Sequence, residues 1–139
     1  MKQSATAVWK GSIKEGDGKI TTKSKVLDNT SYSFKTRFEN GNGTNPDELL
    51  AAAHAGCFVM ALSLILGKKG FTPESLEATS EVTMDAEKLE LTGSHLVLKA
   101  RIPSIDEDVF MECASEAKAH CPVSKALSIK ITMDASLMS

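Results

Sequence analysis

The eighteen residues from Leu49 to Leu66, LLAAAHAGCFVMALSLIL, contain no Asp, Glu, Lys or Arg. This run sets the strongest limit on what the chain can fold into. A helix that is apolar all round must be buried on all sides, whether in a protein core or in a membrane. Its length is close to that of a short membrane span. Its content argues for a protein interior, because it holds His54, Ser63 and five alanines. It begins directly after Asp47 and Glu48 and ends at GKKG. Thr44 or Asn45 can cap such a helix, and Pro46 fits its first turn, where no N–H is needed. Asp47 and Glu48 suit the positive end of the helix dipole, and Gly67 to Gly70 stop it.

The flanking segments change period. TAVWKGSI, GKITTKSKV and YSFKTRF alternate β-branched or aromatic residues with polar ones, and EGDG and LDNTS separate them as turns. They predict a three-stranded antiparallel meander, with ENGNGTNP as the loop into the helix. After the helix, LEATSEVTMD and SHLVLKARI read as strands, and EKLELTG either extends one or connects the two. Val109, Phe110, Cys113, Ala114 and Ala117 recur at helical spacing and predict a second helix from Asp106 to Ala119. Pro122 interrupts it. PVSKAL forms a short turn with Cys121 at its cap, and SIKITMD closes the chain as a strand. The order βββ-α-ββ-α-β is an α+β fold with antiparallel sheet. At 139 residues the whole chain, 1–139, reads as a single domain. Two small sheets of one such chain cannot surround the apolar helix, so the burial argument predicts a homodimer with these helices central.

Composition removes several classes of function. Sixteen basic and eighteen acidic residues leave a net charge of −2 with no basic patch, so nucleic acid is not expected as a partner. No polybasic tract addresses a membrane surface, and no membrane partner is expected. The N-terminus MKQSATAVWKGS lacks the apolar core of a signal peptide. The expected compartment is therefore reducing and cytoplasmic, where three cysteines are buried, metal-binding or catalytic before they are structural disulfides.

Cys57 sits mid-helix, where a thiol gains little from the dipole and burial raises its pKa. It is either core packing or a nucleophile that needs a cation delivered to it. Cys121, in AHCPVS, lies where a helix ends and a new turn begins, a setting that favours thiolate if backbone N–H groups face it. Cys113 lies on an apolar helical face and reads as core. Zinc would need His54, Cys57, His120 and Cys121 to converge, but no C-x-x-C or H-x-x-x-H spacing is present. His54 is a candidate base for a cysteine–histidine pair. Arg37, in KTRFENG at the end of the third predicted strand, is the best placed cation, and Asp47 and Glu48 are the carboxylates that can orient it.

At these residues the chain resembles a known family. GTNPDELLAAAHAGCFVMALSLILGKKGFTP closely resembles the central helix of the osmotically inducible protein C family, the OsmC branch of the OsmC/Ohr hydroperoxide reductases. AHCPVSKAL resembles that family's second cysteine motif, and YSFKTRFENGNGTNP the segment that carries its arginine. The resemblance implies an OsmC-like fold, with antiparallel sheets wrapped around a long central helix in an intertwined homodimer. It implies a peroxidase that reduces organic hydroperoxides, and hydrogen peroxide less well, in oxidative or osmotic stress defence. By position Cys57 would be the peroxidatic cysteine, Cys121 the resolving cysteine and Arg37 the activating arginine. The family's glutamate after the proline is replaced here by Asp47, with Glu48 behind it, so either could orient Arg37. The reductant implied is an external dithiol of lipoyl or thioredoxin type, and no metal, haem or flavin is required. A thiol redox sensor or binding module using the same cysteine pair is the alternative.

Overall fold

The computed structural model describes residues 1–39 and 41–138. They form two compact units, Met1–Leu49 and a second that starts at Leu50.

In the first unit, β1 (Ala5–Lys10), β2 (Asp17–Thr22) and β3 (Thr30–Tyr32) form the expected antiparallel meander, in the order β1-β2-β3. Gly18 stands opposite both Trp9 and Tyr32 in the register. The two rings lie 5.5 Å apart, and a Cβ at position 18 would collide with both, so only glycine lets them meet there.

YSFKTRF is not the third strand. Only Tyr32 of it belongs to β3, and Phe34–Phe38 forms a short helix, α1, so Arg37 is helical. The cause is local. Ser33 Oγ accepts the Thr36 N–H and Thr36 Oγ1 accepts the Ser33 N–H, a reciprocal capping box that starts a helix. One turn apart, the Phe34 and Phe38 rings then meet at 4.7 Å.

The long helix α2 spans Pro46–Lys68. Asn45 provides its cap, because Asn45 Oδ1 accepts the Glu48 N–H at 2.8 Å. Among the described residues it is the one helix long and apolar enough to cross a membrane. A single stripe of it is buried within this chain: His54, Phe58, Leu62 and Leu66, four residues apart. Met60 and Leu64 remain 76% and 62% exposed.

The second unit contains β4 (Ser75–Asp85), β5 (Glu90–Arg101), α3 (Glu107–His120), α4 (Pro122–Ala126) and β6 (Lys130–Leu137). EKLELTG resolves into a turn followed by the start of β5, so β4 and β5 form a hairpin. The sheet order is β4-β5-β6, and β6 runs parallel to β5, which corrects the expectation of purely antiparallel sheet. The reason is the connection. The chain leaves one end of β5, crosses through α3 and α4, and returns to run in the same direction, as parallel pairing requires.

Leu96, Leu98 and Ala100 of β5 face inward at every second residue and meet Phe58, Leu62 and Leu66 of α2 and Phe110, Ala114 and Ala117 of α3. Each large side chain buried in this way contributes about 1.5–3 kcal/mol. Cys113 is part of this core, as read from its helical face.

Candidate active site

One break in helix geometry, between α3 and α4, builds the site. Pro122 disfavours helical backbone at the residue before it, and Cys121 is accordingly extended, with φ −62° and ψ 144°. Cys121 thus ends α3 and caps α4. Pro122 has no N–H, so the first amides available beyond the break belong to Val123 and Ser124. The Val123 N–H donates to Cys57 Sγ at 3.4 Å, and the Ser124 N–H donates to Cys121 Sγ at 3.4 Å. Cys121 is also the thiol that influences the ionisation of Cys57. One turn thus holds both thiols, from α2 and from the α3–α4 junction. Both are free.

Burial pushes the Cys57 thiol above its ordinary pKa, and the Cys121 thiol beside it adds to the rise. Against these, the one lowering influence found among the described residues is the Val123 N–H. Left to its own unit, Cys57 is therefore a poor source of thiolate. Cys57 borders a cleft of about 740 Å³ walled by Met60, Ala61, Leu64 and Ile65 of α2 and by Glu116 and His120 of α3. The wall along α2 is apolar, suited to an alkyl group.

His54 does not face Cys57 as a base. Its Nδ1 lies 2.6 Å from Ser94 Oγ and its Nε2 lies 2.8 Å from Ser124 Oγ. It is fully buried, and desolvation lowers its pKa. Ser94 occupies a core-facing position of β5, in step with Leu96 and Leu98, and also meets Ser80 Oγ at 2.8 Å. Ser94, Ser80, Val123 and Ser124 were not candidates from sequence. Ser94 was detectable in principle, as a polar residue in an otherwise apolar alternation.

Arg37, Asp47 and Glu48 belong to the first unit. Arg37 Nη2 donates to Asp47 Oδ1 at 3.2 Å. Glu48 turns elsewhere, and its Oε2 accepts the Thr44 hydroxyl at 2.7 Å. Of the two carboxylates, Asp47 is the one that holds Arg37, despite its shorter side chain. Arg37 also lies over the Phe38 ring at 5.9 Å. Among the described residues no three of His, Cys, Asp and Glu are grouped to hold a metal ion, and His120 and Cys121 do not join His54 and Cys57 in one.

A sequence model of the family described as OsmC-like protein matches residues 39–136. The chain is 47% identical over 135 residues to peroxiredoxin OsmC of Escherichia coli (strain K12), covering 96% of this chain and 94% of that one. It is 30% identical over 112 residues to organic hydroperoxide resistance protein OhrB of Bacillus subtilis (strain 168), covering 78% and 80% of the two chains. The crystal structure of an organic hydroperoxide resistance protein from Elizabethkingia anophelis shares the fold, with a TM-score of 0.74 at 22% identity and 99% of each chain covered.

Proposed function

This chain belongs to the OsmC-like protein family, and from that membership we propose that it is a thiol-dependent peroxidase that reduces organic hydroperoxides, and hydrogen peroxide less well, through Cys57 and Cys121. The observation that carries this reading is the turn in which adjacent amides hold the two thiols beside an apolar cleft.

The Cys57 thiolate attacks the distal oxygen of the hydroperoxide. An S–O bond forms, the O–O bond breaks, and the electron pair leaves on the alkoxide, which takes a proton to become the alcohol. Cys57 is then a sulfenic acid, and Cys121 condenses with it to give a disulfide and water. An external dithiol of lipoyl or thioredoxin type restores both thiols by exchange. The sulfur atoms carry the electrons throughout.

This cycle needs a thiolate at neutral pH, whereas burial works against one at Cys57. Arg37 is our choice for the missing cation. A guanidinium stays charged at any relevant pH, and Asp47 fixes its orientation. The same group can bind the peroxide oxygens.

The exposed apolar face of α2, with Met60 and Leu64, supports a homodimer in which a second copy covers it. Three free cysteines, two of them in a peroxidase cycle that depends on a cellular dithiol, fit the cytoplasm.

The test is steady-state turnover of cumene hydroperoxide and hydrogen peroxide in parallel, with a lipoyl-type or thioredoxin-type donor. Repeated turnover with preference for the organic substrate supports the enzyme. A single slow oxidation without turnover supports the sensor reading instead.

A further inference from the structure

A chain of hydrogen bonds extends beyond Cys121, away from Cys57. It runs from the Cys121 thiol, which donates to Ser124 Oγ at 3.0 Å, through Ser124 Oγ to His54 Nε2 at 2.8 Å. It continues from His54 Nδ1 to Ser94 Oγ at 2.6 Å and on to Ser80 Oγ at 2.8 Å. Proton counting gives it a direction. Ser124 Oγ already accepts from the Cys121 S–H, so its own O–H has one buried partner left, His54 Nε2. His54 must then carry its proton on Nδ1 and donate it to Ser94, whose O–H passes to Ser80. In the opposite tautomer His54 Nε2–H and Cys121 S–H would both aim at Ser124 Oγ, leaving the Ser124 proton without an acceptor in a buried site. Burial keeps the imidazole neutral, so Nε2 has a lone pair to offer.

We propose that Ser124 and His54 form the proton-acceptor line of the resolving thiol, drawing the proton from Cys121 as it attacks the Cys57 sulfenic acid. This rests on the peroxidase reading above and assigns the second chemical step of that cycle. The Cys121 sulfur supplies the electron pair of the new S–S bond. Its proton moves to Ser124 Oγ while the Ser124 proton moves to His54 Nε2. The Cys57 S–O bond breaks, its pair leaves as hydroxide, and the hydroxide takes up the proton that His54 returns, giving water. Ser124 touches the reacting sulfur. His54 acts through it and is a positioning residue.

The test follows one turnover of the reduced protein with equimolar cumene hydroperoxide, trapping the Cys57 sulfenic acid with a dimedone-type probe and the disulfide by acid quench. In Ser124→Ala and His54→Gln the ratio of disulfide closure to Cys57 oxidation falls about a hundredfold, at the lower edge of general-base effects. Closure in both variants becomes hydroxide-dependent, rising about tenfold per pH unit from pH 6 to 8, while the unaltered protein closes at a nearly constant rate. Ser124→Thr, which keeps the hydroxyl, restores the ratio. The hydrogen-bond partners of His54 from β5 and α4 are uncharged hydroxyls, and Glu116 and His120 of α3, which border the Cys57 cleft, are left intact in every variant. Closure that is unaltered in both variants overturns the proposal. So does closure that is slowed with the same flat pH profile, since that is what a purely structural role gives. If Cys57 of the unaltered protein forms no sulfenic acid at all, the peroxidase reading itself falls and this assignment with it.

Discussion

Val123 and Ser124 are neighbours in sequence, yet their N–H groups donate to two different sulfurs, Cys57 Sγ and Cys121 Sγ, each at 3.4 Å. The arrangement follows from Pro122, which ends one helix and opens the next without an N–H of its own. Two thiols that begin far apart in the sequence are thereby presented to each other by one turn. The chemistry assigned to the chain depends on that pairing, and the consequences can be measured.

The two cysteines are not equivalent. Cys57→Ser abolishes dithiol-dependent turnover of an organic hydroperoxide. Cys121→Ser still consumes one equivalent of peroxide, then stalls with Cys57 as sulfenic acid and passes to sulfinic acid under excess peroxide. Peroxide consumption in single and multiple turnover, with intact-mass measurement, checks both outcomes.

Asp47 and Glu48 part company in the same way. Asp47→Ala frees Arg37, and kcat/KM falls about tenfold or more, equivalent to about 1.4 kcal/mol or more of lost transition-state stabilisation. Melting changes little, because a partly exposed pair contributes at most about 1 kcal/mol. Glu48→Ala removes the Thr44 contact and leaves the Arg37 pair in place, so its effect on kcat/KM is smaller. Kinetics and melting curves of the two variants separate the roles.

Much of this layout was legible in sequence. The start of α2 announced itself through Asn45, Pro46, Asp47 and Glu48, and the second helix through the spacing from Val109 to Ala117. Cys121 was read at a cap and is one. Other features could not be read, because the information is not local. Nothing in SIKITMD records which way β6 runs beside β5; the crossover decides it. Alternation in YSFKTRF pointed to a strand, but two side-chain bonds between Ser33 and Thr36 outweighed it. His54 and Ser94 are 40 positions apart, and only the fold reveals that each is the other's reason for being polar in the core.

Burial of neutral His54 makes stability pH-dependent. Its folded pKa lies below the ordinary value. On acidification below about pH 6.5 the unfolded chain takes up a proton that the folded chain refuses. Its contribution is therefore present above that pH and is lost as pH falls through the folded pKa, by at most about 1.4 kcal/mol per pH unit. The melting temperature of His54→Gln falls less steeply between pH 6.5 and 5 than that of the unaltered protein, as thermal scans across that range will show.

The apolar face of α2 predicts an assembly. Leu64→Asp places a charge on that face, where Leu64 is 62% exposed within one chain. The expected result by sedimentation velocity is dimer for the unaltered protein and monomer for the variant, with peroxidase activity lost together with the dimer.

The proposed cycle requires Cys57 to be a thiolate at neutral pH despite its burial, with Arg37 as the group that makes it one. The most direct measurement is the rate of Cys57 alkylation by iodoacetamide against pH, in Cys121→Ser protein with and without Arg37→Met. With Arg37 in place the expected midpoint lies below that of a free cysteine thiol, and it moves up past the free-thiol value when Arg37 is replaced. A midpoint at or above about 8.5 with Arg37 in place, unchanged by its removal, would contradict it.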